Sequence, residues 1–184
     1  VSVLAGSEVT EYVYDGMGRL LSVLRRDAAV AASDDAGTLR TTYSYVDSSN
    51  RIAVTQDNGL VRIEARNRAG ELLSVSETGV VEGASTTRST GNYYDATGRL
   101  RASEDAAGGR SYFFYDTAGR LIATVDPTGA VSRTEYDSAG RIAGTTRYAT
   151  PTSTQGWLIG GVVTRRELVF AAAPPASLAA DQVW

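Results

Sequence analysis

Short stretches of alternating apolar and polar residues, each bounded by a turn signal, follow one another along most of the chain. The segment RLIATVDPTGAVSRTEY, residues 120–136, is the clearest example. Its alternation is expected to place Leu121, Ala123 and Val125 on one face and the residues between them, such as Ile122, on the other. Both halves are rich in Val, Ile, Thr, Leu and Tyr, so the segment predicts two strands joined by a turn.

Asp-x-x-Gly sequences between these stretches predict tight turns. Asp suits the first position of a type I turn, and Gly suits the left-handed position that follows it in a common hairpin connection. We therefore expect Gly98, Gly119 and Gly140 to have φ above zero. A second set of turns is expected at DDAG (Asp34), DAAG (Asp105) and DPTG (Asp126), with shorter versions at DNG (Asp57) and ETG (Glu77).

The heptapeptide Tyr-Asp-x-x-Gly-Arg-Leu recurs at a regular spacing. Clear copies begin at Tyr14, Tyr94, Tyr115 and Tyr136, and the last three are 21 residues apart. Weaker copies begin at Tyr45, where Asn50 takes the Gly place, and at Arg66. Each of these six copies reads as strand, turn, strand, turn, so the sequence predicts an all-β fold, an antiparallel meander of about 12 strands that forms a curved, coiled β-strip.

The residues that define the repeat are expected to have a structural role. The Asp side chain can accept backbone N–H groups in the turn, the Arg can pair with it, and the Tyr can pack against cross-strand neighbours. An aromatic row could also stack on sugar rings. The set comprises Tyr14, Asp15, Gly18, Arg19, Tyr94, Asp95, Gly98, Arg99, Tyr115, Asp116, Gly119, Arg120, Tyr136, Asp137, Gly140 and Arg141.

The chain is expected to divide into a repeat strip, residues 1–149, and a non-repeat segment, residues 150–184. The second segment holds three of the four prolines and no copy of the repeat. Its sequence ASLAADQVW could form a short helix capped by Ser177 or an irregular end. Two insertions, residues 25–37 and 80–91, are expected to form long loops opposite the Tyr-Asp turns, where a binding function would lie.

A single-layer strip leaves an apolar face uncovered and an unpaired strand at each edge. We therefore expect either self-association or a C-terminal tail that folds back over the sheet. Phe170, Leu178 and Trp184 are the tail residues expected to cover apolar surface.

The residue inventory argues against several classes of site. The chain has no His, Cys or Lys, which removes Ser-His and Cys-His catalysis, ordinary zinc sites and the lysine of a phosphate-binding loop. Its net charge of −3 argues against nucleic acid, and no apolar run reaches transmembrane length. We therefore predict no catalytic residue, cofactor or metal. All 18 cationic residues are Arg, a usage typical of GC-rich bacterial genomes.

The heptapeptide and its spacing resemble the YD repeats of the RHS family over about residues 12–149. In that family the repeats form a β-strip that spirals into a hollow shell. Bacterial members include shell components of Tc toxin complexes and polymorphic toxins whose shell encloses a toxic C-terminal segment, and teneurins carry a related shell. The sequence shows no copy of the family's core motif, which supports self-cleavage, so an autoproteolytic role is not carried over from the resemblance.

The resemblance implies a structural wall segment, without catalysis, of a larger secreted or surface-delivered bacterial toxin-type protein. A chain that begins at Val1 without an initiator Met is consistent with a segment of a longer protein. Expected partners are the remainder of that polypeptide and an enclosed cargo. The alternative is a carbohydrate-binding or cell-surface adhesion module.

Overall fold

A computed structural model describes residues 8–29 and 38–168 of the chain. The predicted helix at Ser177, the DDAG turn at Asp34 and the three tail residues Phe170, Leu178 and Trp184 lie outside these residues. The chain divides into two compact units, residues 1–89 and residues 90–184.

The described residues are almost entirely β-structure, as the alternating pattern predicted. Twelve strands follow one another in chain order in an antiparallel meander, and a separate two-stranded hairpin comes after them. The strands are β1 (Glu8–Tyr14), β2 (Leu20–Asp27), β3 (Leu39–Val46), β4 (Arg51–Gln56), β5 (Val61–Arg66), β6 (Leu72–Val81), β7 (Ala84–Tyr94), β8 (Leu100–Glu104), β9 (Arg110–Tyr115), β10 (Leu121–Val125), β11 (Val131–Tyr136), β12 (Ile142–Tyr148), β13 (Leu158–Ile159) and β14 (Val162–Val163). A 3₁₀ turn, Asp47–Ser49, links β3 to β4.

The left-handed glycines expected in the Tyr-Asp turns are present. The φ angles of Gly98, Gly119 and Gly140 are 82°, 82° and 79°. Asn50 replaces Gly with φ of 48° and ψ of 48°, as expected for the residue that best tolerates this conformation after glycine. Local turn chemistry therefore fixes where these strands reverse.

Two turns of the second set differ from the prediction. The DNG turn is not shortened: Gln56 takes the first position, since its carbonyl accepts a hydrogen bond from Gly59 N at 2.9 Å. The turn predicted at Glu77 is wrong, because Glu77 lies inside β6. The chain instead reverses at Glu82 and Gly83, whose φ angles of 51° and 80° suit a two-residue hairpin that requires two left-handed residues.

The insertion at residues 80–91 is therefore not a loop. It forms the end of β6, the turn and most of β7. Its Thr residues favour extended structure, and the Thr78 and Thr87 hydroxyls hydrogen bond across the two strands at 2.8 Å. Much of the other insertion, residues 25–37, lies outside the described residues; β2 continues into it as far as Asp27.

A β-bulge follows the Tyr-Asp turns and changes the predicted facing of two residues. Leu121 pairs with Tyr115, whereas Ala123 pairs with Phe114, so Ile122 is the extra residue. Tyr115 and Phe114 are adjacent in β9 and therefore point to opposite faces. Leu121 and Ala123, which pair with them, point to opposite faces as well. Ile122 packs against the core that contains Ala123, so the simple alternation predicted through these residues is wrong. A bulge depends on the partner strand and leaves no period in the sequence.

The core of the unit formed by residues 90–184 lies between one face of its sheet and the segment that follows β12. Tyr112 and Phe114 are 1% and 2% exposed, and Trp157 is 9% exposed. The Trp157 ring meets both edge-on, with centroid distances of 5.2 and 5.9 Å. Leu158, Val163 and Leu168 pack against the same cluster. Residues 150–168 therefore fold back over the sheet, with Trp157 as the anchor.

The unit formed by residues 1–89 contrasts with this arrangement. None of its described residues is fully buried. Large apolar side chains such as Tyr12, Val13 and Leu39 are 56%, 52% and 67% exposed. Within the described residues, this sheet is a single layer without a cover.

Gly119→Val is expected to lower the free energy of unfolding by about 1–3 kcal/mol, because a β-branched residue is strained at positive φ. A Cβ at Gly119 would meet no atom within 4 Å, so the cost comes from the backbone. Gly144→Val is the matched control, because Gly144 lies in β12 with equally open space and valine favours strands. Equal urea midpoints for the two variants would contradict the turn assignment.

Trp157→Ala is expected to lower the free energy of unfolding by about 3–5 kcal/mol, because it removes a buried aromatic ring from the core. Ile159→Ala on the same hairpin is the control, since Ile159 is 62% exposed and should change stability by only about 0.5 kcal/mol. Urea denaturation followed by far-UV circular dichroism measures both. Similar small effects would show that the segment does not cover the core.

Candidate functional site at the Tyr-Asp turns

The four clear Tyr-Asp turns share one hydrogen-bonding pattern. In the turn at residues 95–99, Gly98 N donates to Asp95 O at 3.0 Å and Asp95 N donates to Arg99 O at 2.9 Å. This is a type I turn closed by a left-handed glycine. The turns that begin at Asp15, Asp116 and Asp137 repeat it.

The Asp carboxylate holds each turn together from inside. Asp95 Oδ1 accepts hydrogen bonds from Thr97 N at 2.9 Å and Arg99 N at 3.1 Å. Its Oδ2 accepts the Arg99 Nε–H at 3.0 Å. The corresponding Nε–Oδ2 distances for Arg19, Arg120 and Arg141 are 2.7, 2.7 and 2.8 Å. The Asp–Arg pair predicted from the sequence is thus formed in all four turns, and it fixes the direction of the guanidinium group.

Three of these four Arg side chains lie against the tyrosine of the next turn along the strip. Arg120 lies over the Tyr136 ring at 4.6 Å, and the Tyr136 hydroxyl donates to the Leu121 carbonyl at 3.0 Å. We call this arrangement the interlock: the Arg of one turn and the carbonyl of the Leu that follows it both contact the Tyr of the next turn. It recurs with Arg19, Leu20 and Tyr45 at 4.4 and 2.8 Å, and with Arg99, Leu100 and Tyr115 at 5.4 and 2.9 Å.

The carbonyl in each interlock lies beside a bulge. The pairs next to the turns are Tyr14 with Leu20, Tyr94 with Leu100, and Tyr115 with Leu121. In each case the strand register shifts between this pair and the next pair away from the turn. A bulge interrupts the ladder and leaves backbone groups without strand partners. The tyrosine hydroxyl supplies a donor there, which contributes about 1 kcal/mol net, and the cation–π contact adds about 0.5–1 kcal/mol.

The two weaker copies preserve the turn with different side chains. Asn67 replaces Asp, and its Oδ1 accepts Ala69 N and Glu71 N, each at 3.0 Å. In the other copy, Asp47 accepts a hydrogen bond from Arg19 of the preceding turn at 2.7 Å. In the Asn67 copy the side chain thus accepts the same two N–H groups as the Asp of the clear turns, whereas the Asp47 carboxylate is paired with the Arg of another turn.

The electrostatics of the turns keep the carboxylates ionised. Partial burial tends to raise the pKa of Asp95, but hydrogen bonds from Thr97 and Arg99 outweigh it and lower the pKa from 3.8 to about 2. The backbone N–H of the following Arg lowers the pKa of Asp15, Asp116 and Asp137. Carboxylates held in this way are poor proton donors and acceptors at neutral pH.

Sequence reasoning missed Arg101, which ties the folded-back segment to the sheet. It occupies the extra position of the bulge in β8. Its guanidinium donates to the carbonyls of Phe113 at 3.0 Å and Arg165 at 3.1 Å, and it lies over the Phe114 ring at 5.7 Å. Its position two residues after the Arg of the repeat is the only signal in the sequence, and it becomes informative only once the bulge is known.

No group of three or more His, Cys, Asp or Glu residues that could hold a metal ion occurs in residues 8–29 and 38–168. The same part of the chain contains no helix with the length and apolar character needed to cross a bilayer.

The pKa of Asp95 leads to a pH prediction. Because the folded pKa of about 2 lies below the usual 3.8, the stabilisation from Asp95 is fully present above about pH 4 and is lost as the pH falls through about 2. Asp95→Asn should flatten the dependence of the free energy of unfolding on pH in this window, since an amide oxygen can still accept the backbone N–H groups, as at Asn67. Identical slopes for the two proteins in acid urea titrations would contradict the assigned shift.

Comparison with known proteins gives one family match. The sequence model of the family described as RHS Repeat matches residues 94–131 and 115–153, the region of three clear Tyr-Asp turns. No curated protein matches the chain.

Solved structures give weaker similarities. The crystal structure of TcdB2-TccC3-Cdc42 is 16% identical with a TM-score of 0.40, over 76% of this chain and 8% of that chain. The crystal structure of TcdB2-TccC3 is also 16% identical, with a TM-score of 0.41 over 79% and 9% of the two chains. The present chain thus spans less than a tenth of those chains, and these scores carry no weight in the assignment. The RHS Repeat match covers the residues that form three of the repeated turns, so residues 94–153 of the chain are identified as YD repeats, or RHS repeats.

Proposed function

We propose that the chain is a structural wall segment of a shell or scaffold, without catalysis of its own. The observation that carries this proposal is the recurrence of the interlock at Tyr45, Tyr115 and Tyr136. In each case the side chains that define the repeat contact the neighbouring turn. The sixteen residues of the Tyr, Asp, Gly and Arg set therefore serve to build the strip rather than to bind or convert a ligand.

The parent molecule in this proposal is a larger secreted or surface-delivered bacterial protein of the toxin type. The support is the YD-repeat family, in which such strips form shells, together with the Arg-only composition. Its partners would be the remainder of that polypeptide, an enclosed cargo, and further copies of the chain that associate through sheet edges. The role requires no cofactor, metal or nucleic acid.

A carbohydrate-binding or adhesion module is the second candidate, and one surface feature favours it. A cavity of about 330 Å³ in the unit formed by residues 1–89 is lined by Val23, Arg25, Tyr43 and Gln56, among others. It combines an aromatic ring with polar and charged groups, as sugar sites do. This cavity is where a ligand would be expected to bind.

Titration calorimetry with a panel of glycans separates the two candidates. The wall proposal expects no saturable complex with a dissociation constant below about 10 μM, which corresponds to about −7 kcal/mol. Tyr43→Ala is the companion variant, because it alters the cavity without touching an interlock. A tight complex that this variant abolishes would overturn the purely structural role and establish the binding module.

A further inference from the structure

The last Tyr-Asp turn of the described strip presents half of an interlock. Arg141 pairs with Asp137 at 2.8 Å, yet its side chain is 81% exposed. The side chains of Arg19, Arg99 and Arg120, each of which lies over a tyrosine ring, are 32%, 36% and 39% exposed. Ile142, whose carbonyl corresponds to the acceptor in the other interlocks, is 66% exposed.

The first strand of the strip presents the complementary half. Tyr14 ends β1, as Tyr115 and Tyr136 end β9 and β11, but it is 57% exposed. Strand β1 is the first and β12 the last in the order of the twelve strands. Within the described residues, each of these two strands therefore has a neighbouring strand of the sheet on one side only.

We propose that the chain associates head to tail, with Tyr14 of one copy completing the interlock at Arg141 and Ile142 of another. Strand β1 of the first copy then lies antiparallel to β12 of the second. This inference rests on the self-association included in the proposed function, and it identifies the two surfaces and their contacts.

The pairing within the strip defines the register of this contact. In each internal interlock, the residue three after the Arg pairs with the residue three before the Tyr. The pairs are Ser22 with Thr42, Ala102 with Tyr112, and Ala123 with Arg133. The same offset places Gly144 of one copy opposite Glu11 of the other.

The register brings complementary groups together along the two edges. Continuing from Gly144, antiparallel pairing places Arg147 opposite Glu8 of the other copy, and opposite charges directly across from each other favour pairing. The Arg147 side chain is 67% exposed, with Asp126 at 3.8 Å, so it can reach across the new edge. Association would also remove exposed apolar surface at Val13 and Ile142 from water.

The two surfaces differ, so the contact is heterologous. A copy that donates Tyr14 still has its own Arg141 available, and the reverse is also true. Association of this kind does not stop at a dimer unless the assembly closes on itself. By contrast, edge pairing of β12 with β12 would be isologous and would not involve Tyr14.

Sedimentation velocity of the 184-residue chain between about 1 and about 100 μM tests the proposal. Wild-type chain should show concentration-dependent association. Tyr14→Ala and Arg141→Ala should each weaken it at least about tenfold. Tyr43→Ala and Arg88→Ala are matched controls away from both surfaces and should associate as wild type does. Circular dichroism melts establish that every variant is folded.

Mixing the two variants gives a test that a folding defect cannot imitate. Tyr14→Ala chains keep an intact Arg141, and Arg141→Ala chains keep an intact Tyr14, so an equimolar mixture should form a heterodimer that grows no further. Charge reversal gives a second test: Glu8→Arg and Arg147→Glu should each weaken association, and the double variant should restore it.

The outcomes separate this proposal from the wall function. A wild-type chain that stays monomeric throughout would remove self-association from the proposed function, and this inference with it. Association that persists in Tyr14→Ala but fails in Arg141→Ala would point to isologous β12 pairing and overturn the head-to-tail contact. A mixture without heterodimer would overturn it as well. A tight glycan complex, measured separately, bears on the wall function alone.

Discussion

Hairpins placed side by side in a single layer lack an interior that would hold one hairpin to the next, and this constraint shapes the strip. Backbone pairing joins the strands, but a bulge interrupts the ladder directly after each of the four clear Tyr-Asp turns. At three of these places the interlock restores contact. The Asp carboxylate directs the Arg, the Arg lies over the next tyrosine, and the tyrosine hydroxyl donates to the carbonyl beside the bulge. Each contact contributes only about 1 kcal/mol, so stability depends on their repetition.

The two units meet the same constraint differently. In residues 90–184 the apolar face formed by Tyr112 and Phe114 is covered by Trp157 and the hairpin that follows it. Arg101 holds this segment by donating to its carbonyls. In the described part of residues 1–89 no residue is fully buried. Among its described residues, strand pairing, the turns, the interlock at Arg19 and partly buried side chains supply the contacts between strands.

The same contacts limit what the repeated residues can do chemically. Each turn carboxylate of the clear copies accepts at least two backbone N–H groups or an N–H group and a guanidinium, and its pKa is lowered by them. A carboxylate in this setting stays ionised and already has its hydrogen-bond partners. The most regular feature of the sequence is thus explained by the construction of the sheet.

The reversals of the chain are determined by the sequence itself, because they depend on local chemistry. Gly98, Gly119 and Gly140 adopt positive φ where Asp precedes them by three residues, and no distant partner is needed for that choice. The strand period, the antiparallel order and the Asp–Arg pairs follow for the same reason.

The features that sequence reasoning assigned wrongly or missed all depend on a partner strand. Gln56 opens a turn because of how β4 and β5 align, and Glu77 continues a strand because β6 pairs on through it. Leu121 and Ile122 exchange faces at a bulge that only the register against β9 defines. Trp157 covers the core because Tyr112 and Phe114, more than forty residues earlier in the chain, form the surface that receives it, and only the tertiary structure brings those residues together.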